Sequence, residues 1–117
     1  SPIRSLLDAG VRVVMEAPGN TDRPPLLHIE KFVTRQDENG RVWNEGQKVT
    51  RREALYMSTN WAAYYTGDEE ILGTIEPGKL ADLVIIDGDY LTVAEDQIGE
   101  MPIALTMVDG RIVFEAE

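Results

Sequence analysis

The chain has 117 residues, 11 of them basic and 21 acidic, for a formal net charge of −10. That length holds one compact domain and falls short of the about 200 residues that a complete (β/α)₈ barrel requires. The acidity argues against a nucleic-acid or anionic-membrane partner, the absence of cysteine excludes disulfides and thiolate metal sites, and the single histidine, His28, rules out a self-contained multi-histidine zinc site.

No apolar run approaches the roughly 18 residues of a membrane span and no signal peptide is visible, so a cytoplasmic chain is expected. An opening serine fits initiator removal, tag cleavage or a cut from something longer. Charge is unevenly spread: residues 1–65 hold 9 basic and 8 acidic side chains, whereas residues 66–117 hold Lys79 and Arg111 against 13 acids. This reads as a solvated acidic surface.

In chain order, Ser1-Pro2 predicts a helix start, with the hydroxyl as cap and proline at the first helical position. Ile3, Leu6 and Leu7 recur at helical spacing and Gly10 stops the helix. Residues 11–15, Val-Arg-Val-Val-Met, are β-branched and nearly all apolar, which suits a buried parallel strand. Helix, glycine and buried strand make half of a βαβ unit whose first strand is missing. Pro18-Gly19-Asn20 and Pro24-Pro25 mark a loop.

Residues 26–34 form a short helix in this reading, with Leu26, Leu27, Ile29, Phe32 and Val33 apolar. Residues 36–48, with an Asn39-Gly40 turn, read as loop or weak hairpin. Thr50-Arg51-Arg52-Glu53 is a capping box, so a helix should run from there to about Tyr65, burying Leu55, Ala62 and Tyr65 and ending at Gly67. Trp61, Tyr64 and Tyr65 read as core packing rather than a ligand platform.

Beyond residue 66 the pattern turns to strands. Leu72 to Ile75 leads into Pro77-Gly78, a type II turn, then an apolar strand over residues 81–87. Residues 103–108 and 111–114 flank Asp109-Gly110, a type I′ hairpin whose alternation predicts one buried and one wet face.

Most chemistry-bearing residues have an ordinary reading. Asp68-Glu69-Glu70, Asp87/Asp89 and Glu95-Asp96 lack calcium-loop spacing and read as solvated loop charge. Pro77-Gly78-Lys79 lacks phosphate-loop spacing. His28 reads as a surface or cap histidine. Glu16 stands apart, because it follows an apolar strand and precedes a Pro-Gly loop. In parallel α/β architectures, catalytic groups converge at that end of a strand. A carboxylate there can ligate a metal or move protons; the ordinary alternative is a loop cap.

Residues 73–87, Gly73-x-Ile75-x-Pro77-Gly78-Lys79-x-Ala81-Asp82-Leu83-Val84-Ile85-x-Asp87, closely resemble the C-terminal signature of the amidohydrolase superfamily. Val108-Asp109-Gly110-Arg111-Ile112-Val113 resembles the terminal hairpin of its small β-sandwich. The capping box with Ala54-Leu55 and Thr59-x-x-Ala62-Ala63 resembles the helix before the signature. Residues 1–18 resemble the segment around the eighth barrel strand, and amidohydrolase family 3 is the best likeness. The resemblance implies an α+β chain in which residues 1–66 are the terminal barrel segment and residues 67–117 the β-sandwich segment. It implies a metal-dependent hydrolase of non-peptide C–N bonds, acting on a small amide-like molecule and using zinc or another divalent metal. No metal ligand is expected within these residues. Glu16 is the candidate catalytic residue: the family's strand usually ends Gly-Ser-Asp-Ala-Pro, whereas here it reads Val14-Met15-Glu16-Ala17-Pro18, one methylene longer. The chain is therefore expected to be inactive alone and to self-associate as a homo-oligomer through its exposed strand. The competing reading is a standalone, non-catalytic α+β structural or interaction module.

Overall fold

The computed structural model describes residues 1–16 and 22–117. The expected loop at Pro18-Gly19-Asn20 falls outside them. The architecture is α+β: α1 (Ile3–Asp8), α2 (Leu27–Thr34), α3 (Arg51–Ser58) and α4 (Asn60–Thr66) are followed by β1 (Leu83–Ile86), β2 (Ile103–Val108) and β3 (Arg111–Glu115). Short 3₁₀ turns lie at Glu45–Gln47 and Glu95–Glu100. The strands form one antiparallel sheet in the order β1-β2-β3.

Several elements follow from local chemistry as expected. The capping box is formed in both directions: Glu53 N–H donates to Thr50 Oγ1 at 3.1 Å, and Thr50 N–H donates to the Glu53 carboxylate at 2.8 Å. The helix over Leu27–Thr34 forms and buries Ile29 and Val33, with Leu26 buried just before it. Asp109 and Gly110 adopt φ of 49° and 75°, the two positive values a type I′ turn demands. The segment over residues 36–48 is a weak hairpin with one antiparallel bridge, Gln36 to Val42.

Other elements differ. Ser1 does not cap α1; Pro2 occupies the cap, which lacks a side-chain hydrogen bond, and its carbonyl receives the Leu6 amide at 3.1 Å. Residues 11–15 are not a strand, since no neighbouring strand lies beside them among the described residues to satisfy a ladder. The Met15 amide instead donates to the Met57 carbonyl at 3.1 Å. The helix after the capping box is broken at Thr59 (φ −131°, ψ −88°), whose hydroxyl bonds back to the Leu55 carbonyl at 2.6 Å. The break changes the buried face to Ala54, Met57 and Ala63, leaving Tyr65 76% exposed. The aromatic trio is therefore no core cluster: Trp61 stacks on Tyr56 at 5.6 Å, and exposed Tyr64 lies beneath the Arg12 guanidinium at 4.2 Å. Residues 72–75 form no strand, and Ile75 is exposed.

The sheet has no buried face. Every residue of β3 is exposed, as are Val84 and Ile85 of β1, while Ile86 and Ile103 at one end of the sheet pack against the helical core. The core lies between helices instead. Ile3, Leu26, Ile29, Val33, Val49, Ala54 and Met57 close on Tyr90, Ile98 and Met101 from the chain between β1 and β2. Two ties hold that connection to the helices. The Gly99 amide donates to the Glu30 carboxylate at 2.7 Å. Arg51 donates to the Tyr90 carbonyl while the Tyr90 hydroxyl donates to the Arg51 carbonyl, and burial pushes that hydroxyl up to about 12.

Thr50→Ala and Glu53→Ala should each destabilise the fold by about 0.5–2 kcal/mol. Denaturant melts of the two single mutants and the double mutant should be non-additive, because both side chains serve one cap. Two neutral single mutants would contradict the cap's role.

Candidate functional site

Glu16 closes a segment that starts from α1 and ends against α3. At the near end, Arg4 of α1 grips Glu53 with two hydrogen bonds, at 2.7 and 2.9 Å, and also reaches Asp8 at 2.8 Å. Gly10, at φ 82°, turns the chain out of the helix. At the far end, Met15 is held by the Met57 carbonyl, and the Ser58 hydroxyl stands 3.6 Å from Met15 Sδ. Glu16 follows with its side chain exposed, and among the described residues its carboxylate has neither hydrogen bond nor ion pair.

His28 lies in the first turn of α2, half-buried; its Nε2 is buried and has no hydrogen-bond partner among the described residues. Among the described residues, no three His, Cys, Asp or Glu side chains converge as a metal site would require. The acidic pairs stand on loops, with Glu69, Glu70, Asp87, Asp89, Glu95 and Asp96 all exposed.

The signature region builds a groove rather than a reactive centre. Ser58, Ala62, Thr66, Leu72, Thr74 and Val84 are among the residues that line a cleft of about 460 Å³ between α4 and β1. Gly73 makes its floor possible: a Cβ there would stand 2.7 Å from the Ala63 Cβ, and its φ of 94° suits glycine alone. Lys79 donates to the carbonyls of Glu69 at 2.7 Å and Leu72 at 3.3 Å and pairs with Glu76 at 3.2 Å. It staples the loop that leads into the groove. Sequence reasoning finds the Gly73 and Lys79 motif but not the groove, which depends on the break at Thr59 and on α4 packing beside the loop.

The Glu53 carboxyl is held below the usual carboxylate range, first by the hydrogen bond from Arg4 and then by those from Thr50, against partial burial. A lowered folded value means that this contribution to stability is present above the ordinary carboxylate pKa and is lost as pH falls through the folded one. Glu53→Gln should therefore lose most stability near neutrality and flatten the acid limb of a stability–pH curve. An unchanged acid limb would contradict the Arg4–Glu53 coupling.

The described residues thus form an α+β arrangement in which an exposed carboxylate follows an irregular segment held on α3, and a Pro-Gly-Lys loop leads into an antiparallel sheet. The sequence model of the amidohydrolase family matches residues 1–114, and the chain belongs to that family. An N-substituted formamide deformylase from Arthrobacter pascens is 35% identical over 116 residues, covering 97% of this chain and 21% of that protein. A putative amidohydrolase, YtcJ, from Bacillus subtilis is 30% identical over 105 residues, 83% of this chain and 20% of that protein. The crystal structure of an amidohydrolase from Thermotoga maritima shares the fold with a TM-score of 0.63 and 26% identity, over 97% of this chain and 26% of that one. The chain thus spans about a fifth of these curated relatives.

Proposed function

We propose that this chain is the closing part of a hydrolase that cleaves a non-peptide carbon–nitrogen bond in a small amide-like molecule, and that it is inactive by itself. The observation that carries the reading is the deformylase match, which takes in nearly all of this chain but 21% of the relative. Other relatives are named 5-methylthioadenosine/S-adenosylhomocysteine deaminase and imidazolonepropionase. Deformylase and deaminase both name the removal of a group across a carbon–nitrogen bond. In this reading residues 1–66 complete a barrel and residues 67–117 supply strands of a β-sandwich. The open sheet supports it: Val84, Ile85, Ile112, Val113 and Phe114 are each at least half exposed, an apolar surface that a finished domain covers. The same exposure weighs against a standalone module.

Glu16 takes the proton role. It accepts a proton from the attacking water as the carbon–oxygen bond forms, then returns it to the nitrogen as the carbon–nitrogen bond breaks. Zinc or another divalent metal is the cofactor the family implies. The described residues do not fit one, since no three potential ligands converge. Its ligands would then lie in the part of the relatives' length that this chain does not cover. Self-association as a homo-oligomer belongs to the same proposal and would appear as concentration-dependent light scattering.

The test exchanges this chain for the corresponding part of the Arthrobacter deformylase. The chimera should hydrolyse an N-substituted formamide, and Glu16→Gln should cut kcat by about 10²–10⁴-fold. The isolated 117-residue chain should show no turnover and retain no zinc after dialysis against a chelator. Stoichiometric zinc with hydrolysis by the isolated chain would overturn the claim of inactivity. Unchanged turnover in the Glu16→Gln chimera would remove Glu16 from the reaction.

A further inference from the structure

We infer that Ser58, at the C-terminal end of α3, is a positioning residue for Glu16, holding it through Met15; this rests on the reading of Glu16 given above. Residues 11–16 lie in no regular element, so no ladder of strand hydrogen bonds among the described residues fixes them. The chain between α1 and Glu16 is gripped by α3 instead, and at two places. Arg4 on Glu53 fixes the start of the segment, and Met57 with Ser58 fixes its end.

The grip at the end depends on the helix break. Where a helix stops, the carbonyls of its last turn lose their intrahelical partners. The break at Thr59 frees those of α3, and the Met57 carbonyl receives the Met15 amide at 3.1 Å. Ser58 completes the hold from the side-chain direction. Its hydroxyl is set by the Ala54 carbonyl at 2.9 Å and stands 3.6 Å from Met15 Sδ, so it limits where that flexible thioether can lie. Backbone and side chain of Met15 are thus held by consecutive residues of one helix end, and Glu16 is the next residue along. The break therefore has a use: a continuous helix would keep the carbonyl that anchors Met15.

A carboxylate that moves a proton must sit within a fraction of an ångström of its working position. Loosening Met15 should therefore reduce turnover without weakening substrate binding. In the chimera, Ser58→Ala should lower kcat about tenfold with KM changed by no more than about twofold. Ser58→Thr, which keeps a hydroxyl able to bond the Ala54 carbonyl, should restore kcat. Amide hydrogen exchange in the 117-residue chain gives a readout that needs no activity. The Met15 amide should be protected, and Ser58→Ala should speed its exchange about tenfold while the amide of buried Val33 is unchanged. Unaltered Met15 exchange, or unaltered kcat in Ser58→Ala alongside a large loss in Glu16→Gln, would overturn the positioning role and leave Glu16's role standing. Unaltered turnover in Glu16→Gln would remove both.

Discussion

Met57→Ala should lower the unfolding free energy by about 2–5 kcal/mol, the range for truncating a fully buried side chain. Met57 is 0% exposed and belongs to the cluster in which α2, α3 and the Glu95–Glu100 turn meet. The cost has two parts: the lost transfer of apolar atoms from water, and the cavity left where the thioether lay. Neighbours can close that space only by moving helices that Arg4–Glu53 and Arg51–Tyr90 tie in place. Met57→Leu keeps the volume and should cost less than about 1.5 kcal/mol. The backbone bond to Met15 survives both substitutions, so the difference between them reports packing alone. Urea melts measure it, with an unchanged slope showing that both variants unfold from the same compact state. Equal midpoints for the alanine variant and the parent would mean that the core lies elsewhere. Domains of this size are held by about 5–15 kcal/mol, so the alanine variant should give up a large share of that stability.

What the sequence made legible was local. The capping box spans four residues and the Asp109-Gly110 turn two, so each is decided by side chains and backbone angles within reach of one another. The helix over Leu27–Thr34 follows from its apolar spacing. What failed depended on partners distant in sequence. Residues 11–15 have strand composition, yet composition cannot supply the neighbouring strand that a ladder needs. Tyr90, Ile98 and Met101 enter the core from a connection without helical or strand periodicity, so no pattern announces them. The break at Thr59 is invisible to propensity, and it transfers burial from Leu55, Ala62 and Tyr65 to Met57 and Ala63. The candidate site divides in the same way. Glu16 stands out because of its place after an apolar run, whereas the Met57–Ser58 contact that holds its neighbour arises from tertiary packing.

Gly99→Ala should be the most damaging single-methyl addition in the chain between β1 and β2. A Cβ at this position would lie 2.7 Å from Glu30 Oε2, 2.9 Å from Leu27 Cδ1 and 3.1 Å from Leu27 Cα. The first two are side-chain ends that can swing aside, but the third is helix backbone. The turn at Glu95–Glu100 must therefore retreat from α2. Overpacking of this kind costs about 1–3 kcal/mol. Retreat also stretches the 2.7 Å bond from the Gly99 amide to the Glu30 carboxylate, and a buried amide left unpaired costs about 1–3 kcal/mol more. Glu30→Ala isolates the second contribution, since it removes the acceptor and leaves room for the turn. If both act on one contact, the double mutant should be less destabilised than the sum of the singles, because the bond can be lost only once. Ile98 and Met101 flank the glycine and are buried, so retreat of the turn also exposes apolar surface. Thermal and urea melts of the three variants measure all of this. A Gly99→Ala protein as stable as the parent would show that the turn does not pack closely on α2, and the contact between the two halves of the chain would have to be redrawn.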